Sequence, residues 1–213
     1  VSYLPLSHIA DQMFTIHLAA TLGYPVYFAP SIDQVRETLI KARPAVLFAV
    51  PRVWEKVHAS LKNELSEASG LQRLVIQFSR SVGTNVGQEI LKYGAPQSRR
   101  SALAYALADR LFFQKVKRQV GLDRLQIAIS AAAPIGEDVL EYFLSCGIII
   151  HELYGQSEGS GPSTMNYPTP GRRKFGTVGF PMPGVEIKLA SDGEVLVRGP
   201  NVFMGYYKDP KET

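Results

Sequence analysis

Three short apolar runs most constrain the fold of this chain: residues 45–50 (Ala-Val-Leu-Phe-Ala-Val), 125–129 (Leu-Gln-Ile-Ala-Ile) and 148–153 (Ile-Ile-Ile-His-Glu-Leu). Short apolar runs rich in β-branched residues, here flanked by Pro44 and Pro51 in the first and preceded by Gly147 in the third, read as buried strands. The stretches between them have helical periodicity. Residues 32–42 predict a helix capped by Ser31, a second starts at Pro51, and two more span about 71–92 and 98–120, separated by Tyr93-Gly94-Ala95-Pro96, with Gly121 as the expected C-cap. Residues 136–146 predict another helix, and 25–28 a further short strand. Strands joined through helices pair in parallel, because a parallel crossover needs a dozen or more residues. After Gly155 glycine and proline become dense, and 185–189 and 194–197 flank Ser191-Asp192-Gly193, a hairpin signal. The expected class is therefore α/β: a mainly parallel sheet flanked by helices, with a β-rich antiparallel C-terminal portion.

Bulk properties narrow the function. The 213 residues can bury a good core, and 46% hydrophobic with 20% charged residues is ordinary for a folded domain. The single cysteine, Cys146, cannot form an internal disulfide, which agrees with a reducing, cytoplasmic compartment. No CxxC pair, HExxH motif, apolar run of membrane-spanning length or signal-peptide pattern is present. Net charge is +4, with basic clusters at Arg99-Arg100 and at Lys115, Lys117 and Arg118. These read as a solvated helix face or as a weak attraction to anionic membranes. No nucleic-acid motif accompanies them, so no nucleic-acid partner is expected.

The most informative segment follows the third apolar run: Tyr154-Gly155-Gln156-Ser157-Glu158. It is expected where the strand gives way to a loop, and such strand ends border the ligand crevice of an open α/β sheet. An aromatic face, a glycine, a hydroxyl and a carboxylate suit a nucleotide and its cation. Gly155-Gln156-Ser157-Glu158-Gly159 also matches the nucleophile elbow of serine hydrolases. That elbow needs a helix after the serine and a later histidine. Ser160-Gly161-Pro162-Ser163-Thr164 forms helix poorly, and His8, His17, His58 and His151 all precede Ser157. The hydrolase order cannot be completed within this chain.

Four further blocks accompany the pentapeptide: Leu4-Pro5-Leu6-Ser7-His8, Val50-Pro51-Arg52-Val53-Trp54-Glu55-Lys56, Ser130-Ala131-Ala132-Ala133-Pro134-Ile135, and Gly193-Glu194-Val195-Leu196-Val197-Arg198-Gly199-Pro200 leading into Met204-Gly205-Tyr206-Tyr207. In this order the chain resembles the acyl-adenylate-forming (AMP-binding) enzymes, and within them the long-chain fatty acid–CoA ligases of the bubblegum-like branch. The resemblance implies carboxylate adenylation by ATP and then thioester formation with CoA, with a fatty acid, ATP and CoA as substrates and Mg²⁺ as cofactor. Peripheral membrane contact fits a substrate that partitions into lipid, and a homodimer is left open. The alternatives are a medium-chain or aryl acid ligase, a peptide-synthetase adenylation domain, or a non-catalytic nucleotide- or lipid-binding module of the same fold.

By resemblance Glu158 holds Mg²⁺, Ser157 contacts phosphate (relatives more often carry threonine), and Tyr154 stacks on adenine, with Gly155 and Gln156 in the same nucleotide site. The backbone of Ala132, Ala133 and Pro134 approaches the flat base. Relatives usually have glycine near Ala131, so the conformation there is the open question. Glu152 accepts from the adenine amino group in this reading; on a plainer one, Glu152 and His151 form a polar strand-end pair facing solvent. His8 matches a residue near the reacting carboxylate, and His8 and Trp54 border the acyl channel. Arg52 and Glu55 cap or pair at a helix start. The resemblance further implies that residues 1–175 are the α/β part of the large domain and 176–213 an incomplete β-rich subdomain. It places the phosphate loop, ribose aspartate, hinge and C-terminal lysine outside this segment, so the segment alone is expected to be nearly inactive.

Overall fold

Val46–Ala49 (β1), Ile127–Ser130 (β2) and Ile150–Gln156 (β3) lie side by side in the computed structural model, which describes residues 1–213. Both pairings are parallel, with Val46 opposite Ile127 and Ala128 opposite Ile150. The β1–β2 crossover carries the Pro51–Ser66 and Gly70–Tyr93 helices and a helix over residues 99–119; the β2–β3 crossover carries Glu137–Ser145. Beyond β3 the sheet turns antiparallel through Gly161–Met165 (β4) and Phe180–Pro181 (β5), giving the order β1-β2-β3-β4-β5. Glu186–Leu189 (β6) and Val195–Arg198 (β7) form a separate two-stranded antiparallel sheet.

Alternation along the strands divides the core. Leu47, Ala49, Ala128 and Ile150 point to one face, where 23 buried residues pack with the crossover helices. Phe48, Ile129 and Ala131 point to the other, against Leu4, Ala10 and Phe14. Trp54 is wholly buried on the first face, edge-on to Phe143 at 5.2 Å, with Nε1–H donating to the Ile129 carbonyl at 3.2 Å. Each such side chain contributes about 1.5–3 kcal/mol on burial. Gly83 lets the Gly70–Tyr93 helix lie directly on Glu137–Ser145, since a Cβ there would stand 2.4 Å from the Ser145 carbonyl oxygen.

Several sequence expectations shift. Residues 25–28 make only one bridge, Ser2 to Phe28, instead of a strand. The expected 32–42 helix is a 3-10 turn at Ile32–Gln34 followed by Val35–Ala42, and the Ser31 side chain makes no cap bond. Asp123 pairs with Arg43 just beyond that helix, where the chain turns toward β1. The strand at residue 150 runs on through Gln156, so Tyr154, Gly155 and Gln156 are strand residues and not loop. Gly161–Met165, which reads as loop, is β4: pairing with β3 overrides its low propensity. The hairpin is as expected, closed by Gly193 N–H to the Ala190 carbonyl at 3.0 Å, with Arg198 paired to Glu186 across it.

Candidate functional site

Because β1, β2 and β3 are parallel, their C-terminal ends share one edge, where Ala49 lies opposite Ser130 and Ser130 opposite Glu152. Two hollows open beyond that row. One, of about 470 Å³, is open and lined by Val50, Pro51, Arg52, Glu55, Ala132, Ala133 and Pro134. Arg52 and Glu55 face it without forming an ion pair with each other; Lys56 instead pairs with Asp33 at 2.6 Å. The other hollow, on the opposite face of the sheet, is apolar and about 50 Å³, lined among others by His8, Met13, Phe14, Phe48, Leu153 and Gly155. Ala132 borders both.

Ala132 settles the conformation left open above. Its φ is +75°, in the left-handed region, without a glycine to relieve the Cβ contact. The turn after β2 thus carries local strain at the position where it separates the two hollows.

His8 caps the helix starting at Ile9, its Nδ1 accepting from the Ala10 N–H at 3.2 Å while the residue lines the apolar pocket. Trp54 does not share that pocket. It lies beneath the sheet, bonded to the carbonyl of Ile129, whose side chain packs on the other face with Phe48.

Gly155 has a structural reason to be glycine that the sequence does not reveal. A Cβ there would stand 2.0 Å from the Gly161 carbonyl oxygen, so the close approach is made by β4 itself, at a register shift between Tyr154 and Gly155. Gln156 closes the strand opposite Gly161, and Ser157, Glu158 and Gly159 form a 3-10 turn. A strand and not a helix follows Ser157, so the nucleophile-elbow geometry is absent.

Glu152 and His151 are both buried, contrary to a solvent-facing pair, and they occupy opposite faces of β3. Glu152 Oε2 accepts the Gly176 N–H at 3.0 Å, and burial pushes its carboxyl up to about 7, with Glu137 adding in the same direction. His151 Nδ1 lies 2.9 Å from the Asn166 carbonyl, and burial, with nearby Arg173, pushes it down to about 4. Both groups are held toward neutrality.

The residue missed by sequence reasoning is Tyr206. Its hydroxyl donates to Glu158 Oε1 at 2.7 Å, and that bond holds the Glu158 carboxyl below its ordinary range. The same segment clasps the turn twice more: Phe203 N–H donates to the Glu158 carbonyl at 2.8 Å, and Asn201 Nδ2 to the Gly159 carbonyl at 3.1 Å. The Met204-Gly205-Tyr206-Tyr207 block was the available signal, but nothing in it names Glu158 as the partner.

A family model described as AMP-binding enzyme matches residues 1–207. The chain belongs to this family. Among similar AMP-binding proteins is the long-chain-fatty-acid–CoA ligase ACSBG2 of Xenopus laevis, 38% identical over 222 residues, covering 100% of this chain and 29% of that protein. The long-chain-fatty-acid–CoA ligase heimdall of Drosophila melanogaster is 34% identical over 222 residues, covering 100% and 32%. The O-succinylbenzoate CoA synthetase MenE of Bacillus subtilis, solved with ATP and a magnesium ion, superposes with TM-score 0.56 at 18% identity over 96% of this chain and 33% of that one, a likeness of fold. The chain thus spans about a third of the length of the AMP-binding relatives it matches.

Within the AMP-binding chain, Ala132 and Gly155 line one hollow and Glu152 stands opposite Ser130 at the sheet edge, whereas Tyr154, Ser157 and Glu158 line neither hollow and Trp54 stays in the core. No three His, Cys, Asp or Glu side chains cluster as a protein-only metal cage. The donor set fits Mg²⁺ in another way: Glu158 offers one hard, accessible carboxylate beside the Ser157 hydroxyl, and Mg²⁺ is commonly held by one or two carboxylates together with substrate phosphates. A further cavity of about 370 Å³ lies at the N-terminal ends of β2 and β3 and is lined by Lys117, His151 and Arg173. Its cations are already engaged, Arg173 by the Leu91 carbonyl at 3.1 Å and Lys117 by Asp109 at 3.8 Å.

Proposed function

We propose that this chain is the central part of the large domain of an ATP-dependent long-chain fatty acid–CoA ligase. In the full protein a carboxylate oxygen attacks the α-phosphorus of ATP, pyrophosphate leaves, and the CoA thiolate then attacks the acyl carbon and releases AMP. The observation that carries this reading is that Ala132, just beyond β2, and Gly155, near the end of the adjacent parallel strand β3, line one hollow. Nucleotides bind at such edges. The alignment with long-chain ligases along the whole chain supports the same reading.

In this reading Tyr154 and the Ala132–Ala133–Pro134 backbone hold adenine, and Gly155 and Gln156 shape the strand beneath. Ser157 donates to phosphate. Glu158 takes Mg²⁺ together with the nucleotide, and the ion neutralises charge developing on the phosphates. Tyr206 fixes the Glu158 carboxylate before the ion arrives. Glu152 orients the site through the Gly176 N–H, and its free lone pairs accept from the adenine amino group. The acyl carboxylate lies near His8, with the first carbons against Phe14, Phe48 and Leu153. Trp54 positions that wall from below, through Ile129.

The division at residue 175 stays a proposal. The separate β6–β7 sheet supports it, while β5 belongs to the first sheet. Contact with a membrane and a homodimer belong to the same reading. No helix is long and apolar enough to cross a membrane.

The test is pyrophosphate release by the full-length protein with ATP, Mg²⁺ and acids of graded length. Release that rises with chain length and yields acyl-CoA supports the reading; preference for an aryl acid, or binding of nucleotide without turnover, overturns it.

A further inference from the structure

The charge of this chain is not spread evenly. Between Gly70 and Leu125 there are ten Lys or Arg residues and three Asp or Glu, a net of +7, while the rest of the chain sums to −3. This stretch is the antiparallel pair formed by the Gly70–Tyr93 helix and the helix over residues 99–119. Its acids are internally engaged: Glu89 accepts from the Gln97 N–H and the Ser101 hydroxyl, Asp109 from Gln114, and Asp123 pairs with Arg43. Arg73, Lys92, Arg99, Arg100, Arg110 and Lys115 are exposed and enter no ion pair.

Apolar residues accompany this charge. The core-facing stripe of the first helix is Ser79, Gly83, Val86 and Gly87, and that of the second includes Ala108, Phe112 and Val116. Away from those stripes, Leu71, Leu74 and Phe78 recur at helical spacing on the first helix, and Leu103, Leu107 and Leu111 on the second. Leu71 is 77% and Leu103 72% exposed. Isolated exposed leucines are ordinary, but two helical rows interleaved with unpaired arginines are the pattern of a helix that lies in a bilayer interface.

We infer that this helical pair is the surface by which the protein docks on an anionic lipid bilayer, the leucines entering the headgroup boundary and the arginines meeting lipid phosphates and carboxylates. Charge complementarity selects this occupant over a second copy, which would bring +7 against +7. Each basic side chain near an anionic leaflet raises partitioning by about fivefold, an effect that fades within a Debye length. The surface extends the membrane contact of the reading above but uses none of its chemistry. A protein that binds vesicles without making acyl-CoA keeps this inference and sinks the ligase reading, and the reverse outcome does the opposite.

The experiment is co-sedimentation of the full-length protein with vesicles of phosphatidylcholine alone and of phosphatidylcholine with phosphatidylserine, at low and high salt. Binding to the phosphatidylserine vesicles is expected, weakening with salt. The pair Arg99→Gln/Arg100→Gln should lower it on the order of tenfold or more, and Leu71→Ser/Leu103→Ser by a similar factor. Neither pair should alter turnover of a short water-soluble acid. Absence of vesicle binding, or binding that both pairs leave unchanged, overturns the inference. So does a shift in oligomeric state by the leucine pair with vesicle binding intact, which would make this face a contact between copies of the chain.

Discussion

The Tyr206 hydroxyl donates to Glu158 Oε1 at 2.7 Å and joins two residues 48 positions apart. The carboxylate proposed to take Mg²⁺ is therefore oriented by a side chain from a distant segment. The bond also lowers the Glu158 pKa and raises that of Tyr206.

Tyr206→Phe in the full-length protein should keep the fold and lower kcat/KM severalfold, since the carboxylate loses the donor that orients it. Removing the donor raises the Glu158 carboxyl toward its ordinary value, so the acidic limb of the pH–rate profile should move to higher pH. A profile that stays in place, with activity lost, would mean that Tyr206 acts elsewhere. Glu158→Gln should cost more, on the order of 10²-fold.

Gly155→Ala should destabilise by about 2–4 kcal/mol, read as a fall in the denaturant midpoint. The added Cβ meets the Gly161 carbonyl oxygen at 2.0 Å, and backbone must move to accept it. An unchanged midpoint would show that β3 and β4 can part without cost.

Ala132→Gly should leave stability unchanged or raise it by up to about 1 kcal/mol. Relief of a left-handed alanine is worth about 1–2 kcal/mol, against about 0.4–1 kcal/mol for the greater freedom of glycine in the unfolded chain. Loss of more than that on chemical denaturation would mean the strain is absent.

Glu152 and His151 set opposed pH dependences. Glu152 is raised to about 7, so its neutral form stabilises the fold fully at low pH, and that contribution fades as pH rises from its ordinary range through about 7. His151 is depressed to about 4, so its contribution is present above its ordinary range near 6.5 and fades as pH falls through about 4. Between about pH 4.5 and 6.5 the two slopes oppose each other and stability should change little. Glu152→Gln removes one slope, so unfolding free energy should rise with pH across that window by on the order of 1–3 kcal/mol. A variant curve as flat as the parent's would refute the assignment.

Trp54→Phe keeps the ring and loses the bond to the Ile129 carbonyl. We expect a loss of about 1–3 kcal/mol in stability and, if Trp54 positions the acyl wall, a changed ratio of long- to short-acid rates. A stability loss with the ratio intact would leave it as core alone.

The parallel half of the sheet was legible because Leu47–Ala49, Ala128–Ser130 and Ile150 are buried and lie in short apolar runs. β4 was not, because Gly161-Pro162-Ser163-Thr164 has turn chemistry and becomes a strand only when β3 supplies its partners. The candidate motifs were visible as blocks, yet their local composition could not show that Gly155 is required by Gly161 or that Trp54 lies beneath the sheet. The Tyr206–Glu158 bond was hidden for the same reason: contacts between distant segments leave no local pattern.

The clasp of residues 201–206 on the Ser157–Gly159 turn has a temporal side. A ribosome delivers the chain from its N-terminus, so β1 to β3 and their helices can pack while the Ser157–Gly159 turn still awaits its three tethers. Closing that long loop comes after the local contacts that reward folding early. Nascent chains released before Asn201 should therefore carry a formed parallel sheet with an untethered Glu158, so this carboxylate is fixed only after the sheet that carries it has packed.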